Sequence, residues 1–263
     1  MMGMTKTLTK SGVFSVLAIG TLILGCDATS SGDTTASASF TMTSGESGEA
    51  GTASTGGTTE GMVDIMSENM VDDLEDGDDA IIEQNERGGS WFLYNDETEG
   101  GMQSPDPNGS FVPTADCGPE GSGFCAQTTG SGFETWGAGM GFDFQNDGMT
   151  KTAYDAGEFT GIAFHAKGNV QLRVNLMTPP ILDETLGGEC VPEGGDTGSC
   201  GDGHGVDIQL TDTWTQYVVP FDSVAQVGWG LAAEFDPAGI VSMHFQVAQN
   251  NDFDISIDNI GLY

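Results

Sequence analysis

The sequence predicts an all-β protein, an antiparallel β-sandwich of the jelly-roll type that follows a signal peptide and a disordered linker. Three observations support this fold class. Short runs alternate strictly between apolar and polar side chains, which is the period of a half-buried strand. Clusters of Gly, Asp, Asn and Pro separate these runs, and no long amphipathic pattern predicts a helix. Many short strands joined by Gly-rich turns are typical of sandwiches and jelly rolls.

The first 25 residues have the two regions of a secretory signal peptide. Lys6 and Lys10 provide a basic start, and the apolar stretch VFSVLAIGTLIL over residues 13–24 follows. This stretch is too short for a membrane span. The sequence ILGC at residues 23–26 resembles a bacterial lipobox, which implies cleavage before Cys26 and its lipidation. An ordinary signal peptide with an incidental cysteine is the alternative. We therefore expect an exported, membrane-anchored lipoprotein of the outer membrane, the cell surface or the periplasm.

Residues 26–61 form the predicted linker between the lipid anchor and a folded domain. They consist of Ser, Thr, Gly and Ala with scattered acids, and they contain almost no large apolar side chains. Such a segment cannot bury a core, so we expect a disordered tether. The folded domain is predicted over residues 62–263, because about 200 residues suit a single sandwich.

The charge of the chain excludes one class of partner. Forty acidic side chains oppose six basic ones, which gives a formal net charge of −34 at pH 7. So negative a surface repels phosphate backbones, and nucleic acid is excluded as a partner. It also disfavours adsorption to anionic lipid, so we expect membrane contact through the lipid anchor only. We also expect a monomer. The many carboxylates could hold Ca²⁺, although acidity also serves solubility alone.

The cysteines predict two local disulfides. The chain has five cysteines, and lipidation of Cys26 leaves an even number. Cys117 lies close to Cys125 in sequence, and Cys190 lies close to Cys200, each pair in a Gly-rich segment. An exported compartment permits disulfides, and two local bridges are the simplest connectivity. A zinc site is the alternative, but these spacings do not match those typical of zinc ligands.

Alternation also predicts which side chains share a face. In residues 170–176 and 241–247 the apolar side chains point one way and the polar ones point the other. His165 opposes its apolar neighbours Ile162 and Phe164 in the same manner. If these strands share a sheet, one surface gathers side chains that could bond sugar hydroxyls, and an ordinary polar face is the alternative. These side chains are Arg173, Asn175, His165, His244 and Gln246. Further predicted strands cover residues 80–84, 91–94, 124–128, 206–210, 214–219 and 255–257.

Aromatic side chains are the second group of candidates for a sugar site. Trp91 and Tyr94, three residues apart in one predicted strand, point to opposite faces, and either could stack on a pyranose ring. Three further aromatics match positions that recur in the structural pattern of this fold class, so we expect them in the core, namely Trp214, Tyr217 and Trp229. Trp136 lies among glycines, and both a loop anchor and a core position remain open for it.

Catalytic motifs are missing from the sequence. It contains no nucleophile elbow, no phosphate-binding loop and no His-Glu-x-x-His pattern. Acid pairs are too abundant to indicate a glycosidase. His204 with Asp202 could shape a ligand or metal site, although a histidine in a Gly-rich loop is usually just exposed. We therefore predict that the protein is not an enzyme.

Six short segments, in this order, resemble the galactose-binding-like β-sandwiches, and most nearly the family 11 type of carbohydrate-binding module. The resemblance covers about residues 70–263 and implies a jelly roll with a structural Ca²⁺, a glycan-binding concave face and no catalytic residues. Two departures are a long loop over residues 183–205 and platform aromatics that are hard to place. The segments lie at residues 71–77, 88–96, 161–168, 213–222, 228–230 and 253–263.

The same resemblance suggests where Ca²⁺ would bind. Glu75 and Asp258 match the acidic positions that hold the structural ion in similar modules, near the two ends of the domain. Asp73 and Gly77 could complete a shell of oxygens, since Ca²⁺ takes six to eight of them. The alternative is that these are solvated acids of an acidic protein.

These observations favour one function and leave two alternatives. We expect a lipid-anchored cell-surface protein that binds a polysaccharide or oligosaccharide without catalysis. Arg173, Asn175, His244 and Gln246 would bond the sugar, while Trp91 or Tyr94 stacks on it. The runner-up is a structural or adhesive surface protein whose sandwich packs against a protein partner. A glycoside hydrolase is the third candidate.

Overall fold

A computed structural model describes residues 61–148, 150–192 and 199–263 of the chain. The predicted signal peptide, the lipidation site Cys26 and nearly all of the predicted linker lie outside these residues. Among the residues described, no helix is long and apolar enough to cross a membrane.

The described residues form twelve strands and several short 3₁₀ helices. The strands are β1 (Met70–Asp72), β2 (Trp91–Asn95), β3 (Met102–Ser104), β4 (Thr114–Ala115), β5 (Phe124–Ser131), β6 (Ala138–Asp143), β7 (Gly161–Gly168), β8 (Gln171–Met177), β9 (His204–Gln209), β10 (Thr215–Pro220), β11 (Ser242–Val247) and β12 (Phe253–Leu262). The 3₁₀ helices are Ser67–Asn69, Pro179–Ile181, Glu184–Leu186, Phe221–Ser223 and Pro237–Gly239.

The strands form two antiparallel sheets. The seven-stranded sheet has the order β10-β7-β12-β5-β3, with β1 also paired to β12 and β4 to β5. The five-stranded sheet has the order β2-β6-β11-β8-β9. This architecture confirms the predicted all-β antiparallel sandwich. Neighbours in both sheets are mostly distant in sequence, so long-range contacts decide the arrangement.

The core lies between the two sheets and follows the predicted alternation. Leu172, Val174 and Leu176 of β8 are fully buried, and so is Phe245 of β11. Burial of each such side chain contributes about 1.5–3 kcal/mol to stability. The alternation leaves the polar side chains of these strands on the outer face of the five-stranded sheet.

The segment before β1 is tied to the body of the domain. The side-chain amide of Gln216 exchanges two hydrogen bonds with the backbone of Val63, at 2.8 and 2.9 Å. Arg87, which is only 2% exposed, donates to the carbonyl oxygens of Glu68, Asn69 and Met70. These bonds provide partners for both terminal nitrogens of a guanidinium that would otherwise be buried without them.

Both predicted disulfides are confirmed. Cys117 bonds to Cys125 at the start of β5, and Cys190 bonds to Cys200 in the segment that leads to β9. The first bridge therefore belongs to the seven-stranded sheet, and the second belongs to a loop beside the five-stranded sheet.

Candidate functional site

The outer face of the five-stranded sheet brings together four of the five predicted hydrogen-bonding side chains. The register between β8 and β11 places Asn175 opposite His244 and Arg173 opposite Gln246. Directly opposite residues in an antiparallel pair project to the same face, so all four side chains share one surface.

His165 does not belong to this surface, because its strand, β7, lies in the seven-stranded sheet. There it is paired with Asp258 of β12 and Gln216 of β10. The alternation correctly indicates that His165 points away from the core. It carries no information about which sheet a strand joins, and that is why the predicted grouping with His244 is wrong.

The polar side chains of this face are held by one another. Arg173 Nε donates to Asn175 Oδ1 at 2.9 Å, and Asn175 Nδ2 donates to Gln246 Oε1 at 3.3 Å. Gln246 Nε2 in turn donates to the carbonyl oxygen of Trp136 at 3.1 Å. Arg173 also lies 3.5 Å from the carboxylate of Asp207. Because these groups are already paired, their orientations are set before any ligand arrives.

His244 lies between this polar network and a group of aromatic rings. Its Nε2 lies 3.0 Å from Ser242 Oγ, and its ring centroid lies 5.2 Å from that of Tyr94 and 5.3 Å from that of Phe92. Burial lowers the pKa of His244 to about 3, and the positive charge of Lys151 adds to this effect. The imidazole is therefore neutral near pH 7 and offers a dipole rather than a charge.

The aromatic rings lie over two glycines of β6. Tyr94 stacks on Trp136 with ring centroids 5.9 Å apart. A Cβ at Gly139 would lie 2.7 Å from Tyr94 Oη, and one at Gly141 would lie 3.1 Å from Phe92 Cζ. Phe92 is a member of the site that the sequence did not single out, and Trp136 was singled out only as a loop anchor or a core residue. The alternation of Gly with buried residues in β6 is the pattern that could have indicated a strand with room above it.

A groove with a volume of about 1040 Å³ crosses this face. On one side it is lined by Tyr94 and Trp136, and its floor includes the network of Arg173, Asn175 and Gln246. On the other side it is lined by residues outside the strands that have large exposed fractions. These are Leu186 at 44%, Val227 at 63% and Trp229 at 56%.

Two predictions about tryptophans are wrong, and in opposite directions. Trp229, expected in the core, is exposed in the groove because it lies in a loop outside both sheets. Trp91, expected as a possible stacking platform, is only 3% exposed. Its ring lies between those of Phe111 and Phe245, and its Nε1 donates to Asp72 Oδ2 at 2.6 Å. Trp91 therefore cannot contact a ligand on the surface, whereas Tyr94 can.

The remaining aromatic predictions have mixed outcomes. Tyr217 is only 8% exposed, as expected for a core residue. Trp214, which directly precedes β10, is partly exposed, with Lys167 Nζ 4.9 Å from its ring centroid. Trp136, for which both positions were open, is 43% exposed and lines the groove.

The segment Asp202–His204 borders the groove, and both of its polar side chains are buried. His204 is 4% exposed, and its Nε2 lies 2.9 Å from the carbonyl oxygen of Ala233. Asp202 is 1% exposed and accepts hydrogen bonds from backbone amides of the loop that carries Trp229. The expectation of an exposed histidine is wrong, because this segment is packed beneath that loop.

Two of the predicted Ca²⁺ ligands lie together. Ser122 Oγ is 2.7 Å from Glu75 Oε1 and 2.7 Å from Asp258 Oδ2. Asp258 is fully buried. Burial raises its pKa to about 6, and the negative charges of Glu75 and Asp73 contribute to this rise. A buried carboxylate that faces other acids is a donor set that suits Ca²⁺. Within the described ranges, however, no three His, Cys, Asp or Glu side chains are arranged as a metal site.

A second depression, of about 1250 Å³, lies beside β3 and is lined by acidic, small, apolar and aromatic side chains. Glu97, Asp106, Asp252 and Asp254 contribute carboxylates to it. Its aromatic lining includes Phe133 and Phe253, which are only 2% and 5% exposed, so it offers a poorer surface for stacking on a sugar than the groove over the five-stranded sheet.

No protein-family model matches this chain, and no curated protein matches it. Among solved structures, it is similar to the family 11 carbohydrate-binding module of a cellulosomal cellulase from Clostridium thermocellum. The identity is 18%, the TM-score is 0.49, and the match covers 76% of this chain and 95% of that one. A family 11 module from the same organism, in complex with a β-1,3-1,4-mixed-linked tetrasaccharide, has 19% identity and a TM-score of 0.47, with 74% and 94% coverage.

The family 30 carbohydrate-binding module of another cellulosomal cellulase from Clostridium thermocellum is also similar. It has 11% identity and a TM-score of 0.44, and the match covers 74% of this chain and 95% of that one. These likenesses concern the fold. The chemistry of the groove itself has to indicate what this chain binds.

Proposed function

We propose that this protein binds a polysaccharide or oligosaccharide in the groove over the five-stranded sheet, without catalysis, while a lipid on Cys26 anchors it to a membrane. The observation that carries this proposal is the pairing of exposed aromatic side chains with a fixed polar floor in one groove. Trp136 and Trp229 are large apolar side chains at a solvent-facing site, and Arg173, Asn175 and Gln246 lie between them.

The two kinds of side chain suit the two kinds of sugar surface. The apolar C–H face of a pyranose ring can pack on an indole or phenol ring, and its hydroxyls can bond to amides and a guanidinium. Because the amides are already oriented by the Asn175–Gln246 bond, less conformational entropy is lost on binding. The neutral His244 adds a hydrogen-bonding group without a charge.

Binding of the mature chain to a glycan array tests this proposal. The test protein spans residues 26–263 with Cys26→Ser, which removes the lipid. Trp136→Ala, Trp229→Ala and Arg173→Ala should each weaken binding to any glycan that the native chain binds by about tenfold or more. This corresponds to a loss of about 1.4 kcal/mol of binding free energy for each side chain removed. Trp214→Ala is the matched control, because this tryptophan does not line the groove. Equal binding by the three folded groove variants would contradict the proposal.

A protein partner is the second candidate for the same surface. The wall formed by Leu186, Val227, Trp229 and Leu231 is apolar and exposed, a property of interaction sites. A folded chain that binds no glycan, but whose Trp229→Ala variant loses a partner found on the cell surface, would favour this alternative.

We also propose a structural Ca²⁺ held by Glu75 and Asp258, with Asp73 and backbone oxygens near Gly77 available to complete the shell. The support is the buried carboxylate of Asp258 and its proximity to Glu75 through Ser122. The ion would neutralise the repulsion between the carboxylates of Glu75 and Asp258, and it would join the start of the domain to β12. Ca²⁺ should then raise the melting temperature and a chelator should lower it, with Glu75→Gln abolishing the difference. An identical melting curve in Ca²⁺ and chelator would overturn this proposal.

The anchor on Cys26 has a separate test. Cells that express the whole chain would be fed an alkyne-bearing fatty acid, and the protein would be probed for the label. The native chain should carry label in the membrane fraction, and Cys26→Ser should lose it. Protease treatment of intact cells would show whether the domain faces the outside or the periplasm.

A further inference from the structure

The two tryptophans of the groove, Trp136 and Trp229, are not held by packing in the core. Each lies in a loop outside the strands, and each is substantially exposed, Trp136 at 43% and Trp229 at 56%. Exposed loop side chains are ordinarily mobile, whereas stacking on a sugar requires a ring at a fixed place and angle. Something other than core packing must therefore hold these two loops.

A single carboxylate, that of Asp96, holds the loop that carries Trp136. Asp96 Oδ2 accepts hydrogen bonds from the backbone amides of Thr135, Trp136 and Gly137, each at 2.9 Å. Its Oδ1 accepts from the amide and hydroxyl of Thr98, at 3.1 and 2.6 Å. Burial raises the pKa of Asp96, but this set of donors lowers it further, so the pKa lies well below its usual range. The carboxylate is therefore ionised whenever the groove is at neutral pH.

Asp202 holds the loop of Trp229 in the same way. Its Oδ1 accepts from the amide of Val227 at 3.1 Å, and its Oδ2 accepts from those of Gly228 at 2.7 Å and Gly230 at 3.2 Å. Asp202 is 1% exposed, so this carboxylate has no access to a ligand. A Cβ at the adjacent Gly201 would lie 3.7 Å from Cη2 of Trp229, so the ring packs on this segment.

The two loops meet the sheet at different corners. Trp136 precedes β6, at the edge where Val247 ends β11. Asp202 precedes β9, whose first residue His204 is paired with Leu176 of β8, near the start of β11. Since β6 and β9 also lie on opposite sides of β11, the two tryptophans stand at diagonal corners of the same face.

We propose that Asp96 and Asp202 are positioning residues of the binding groove, each fixing one tryptophan through three backbone amides, and that together they set the spacing of two stacking sites. Neither carboxylate contacts the ligand. This inference rests on the proposed function, but the placement of the rings is measurable without any ligand.

Fluorine NMR of the mature chain tests it. The chain has four tryptophans, so incorporation of 5-fluorotryptophan gives four resonances, and Trp136→Phe and Trp229→Phe assign two of them. Asp202→Ala should move the Trp229 resonance to a narrow line at the position of an unfolded chain and leave the other three in place. Asp96→Ala should do the same to Trp136 alone. Asp236→Ala is the control, because it removes a carboxylate that accepts one backbone amide of the 3₁₀ helix Pro237–Gly239, whose residues do not line the groove.

The same variants are then compared in binding to a glycan that the native chain binds. Each Asp→Ala variant should weaken binding by about tenfold or more, and Asp202→Asn, which keeps one acceptor and the side-chain shape, should recover part of both the binding and the resonance position. An unchanged Trp229 resonance in folded Asp202→Ala would overturn the positioning role, and so would full binding despite a displaced ring. If no glycan binds the native chain, the proposed function fails while the resonances still decide the placement.

Discussion

At the scale of single residues, the groove combines a neutral histidine with side chains that are already paired. His244 lies between the two halves of the site, with the rings of Phe92 and Tyr94 on one side and its strand partner Asn175 on the other. A charged imidazole at this place would repel Lys151 and lose solvation, and this is why burial lowers its pKa to about 3. The groove therefore keeps one protonation state across the range in which histidines usually titrate.

The pKa of His244 predicts a pH dependence of stability. Between the unfolded value near 6.5 and the folded value of about 3, the unfolded chain binds the extra proton. The folded chain therefore has its full stability above about pH 6.5, where His244 is neutral in both states, and it loses stability as the pH falls below this value. From pH 7 to pH 5 the native chain should lose up to about 2 kcal/mol more than His244→Gln. Urea unfolding at the two pH values measures this difference.

The comparison with His244→Gln removes the effect of the many carboxylates, which titrate alike in both chains. An NMR titration of the native chain gives the pKa directly. A value near 6.5 would contradict the buried, neutral imidazole.

At the scale of elements, β6 shapes the groove by what it lacks. Gly139 and Gly141 face outward between β2 and β11, and the absence of side chains there leaves room for Phe92 and Tyr94 to lie across the strand. On its other face the same strand buries Met140 and Phe142 in the core. One strand thus contributes packing to the sandwich and space to the site.

Gly139→Ala should disturb this arrangement. The new Cβ would overlap the carbonyl oxygen of Phe245 and lie 2.7 Å from Tyr94 Oη. Such crowding costs about 1–3 kcal/mol, and we expect it also to displace Tyr94 and weaken glycan binding. Thermal unfolding and a binding titration measure the two effects. Gly239→Ala is the control, because a Cβ there would meet nothing nearer than Pro179 Cδ at 3.7 Å. Equal stability of the two variants would show that β6 tolerates a side chain above it.

At the scale of the whole domain, the segment before β1 packs and hydrogen-bonds against the sandwich. Its carbonyl oxygens accept hydrogen bonds from the buried guanidinium of Arg87, and the backbone of Val63 is hydrogen-bonded to the side chain of Gln216 of β10. Ile65 packs against Gly261 of β12, where a Cβ would overlap its side chain. The first described residues therefore contribute to the fold, although they form only one 3₁₀ turn and no strand before Met70.

Removal of this segment should destabilise the domain. A chain that begins at residue 70 lacks two of the three carbonyl partners of Arg87, those of Glu68 and Asn69. Hydrogen bonds to charged groups are worth about 1.5–3 kcal/mol each, so we expect a loss of this order. Denaturant unfolding of chains that begin at residues 52 and 70 measures it. Equal midpoints would mean that Arg87 finds other partners.

Much of the fold could be predicted because the relevant information is local. Strict alternation in residues 170–176 and 241–247 correctly predicted the buried apolar side chains, although the outward-facing Asn175 and Ser242 are buried as well. The two disulfides could be predicted for the same reason, since each joins cysteines that are close in the chain. The sequence by itself thus determined the fold class, the faces of the main strands and the cysteine pairs.

Only the tertiary structure decided how these pieces form a site. The pairing of β8 with β11 brings Arg173 to Gln246 across 73 residues of sequence, while His165 goes to the other sheet. The burial of Trp91 depends on Phe111 and Phe245, which are distant from it in sequence. The exposed position of Trp229 depends on its loop, which Asp202 holds from another part of the chain. Alternation states whether a side chain points inward, but the choice of neighbouring strand and the path of a loop arise from long-range contacts that no local pattern encodes.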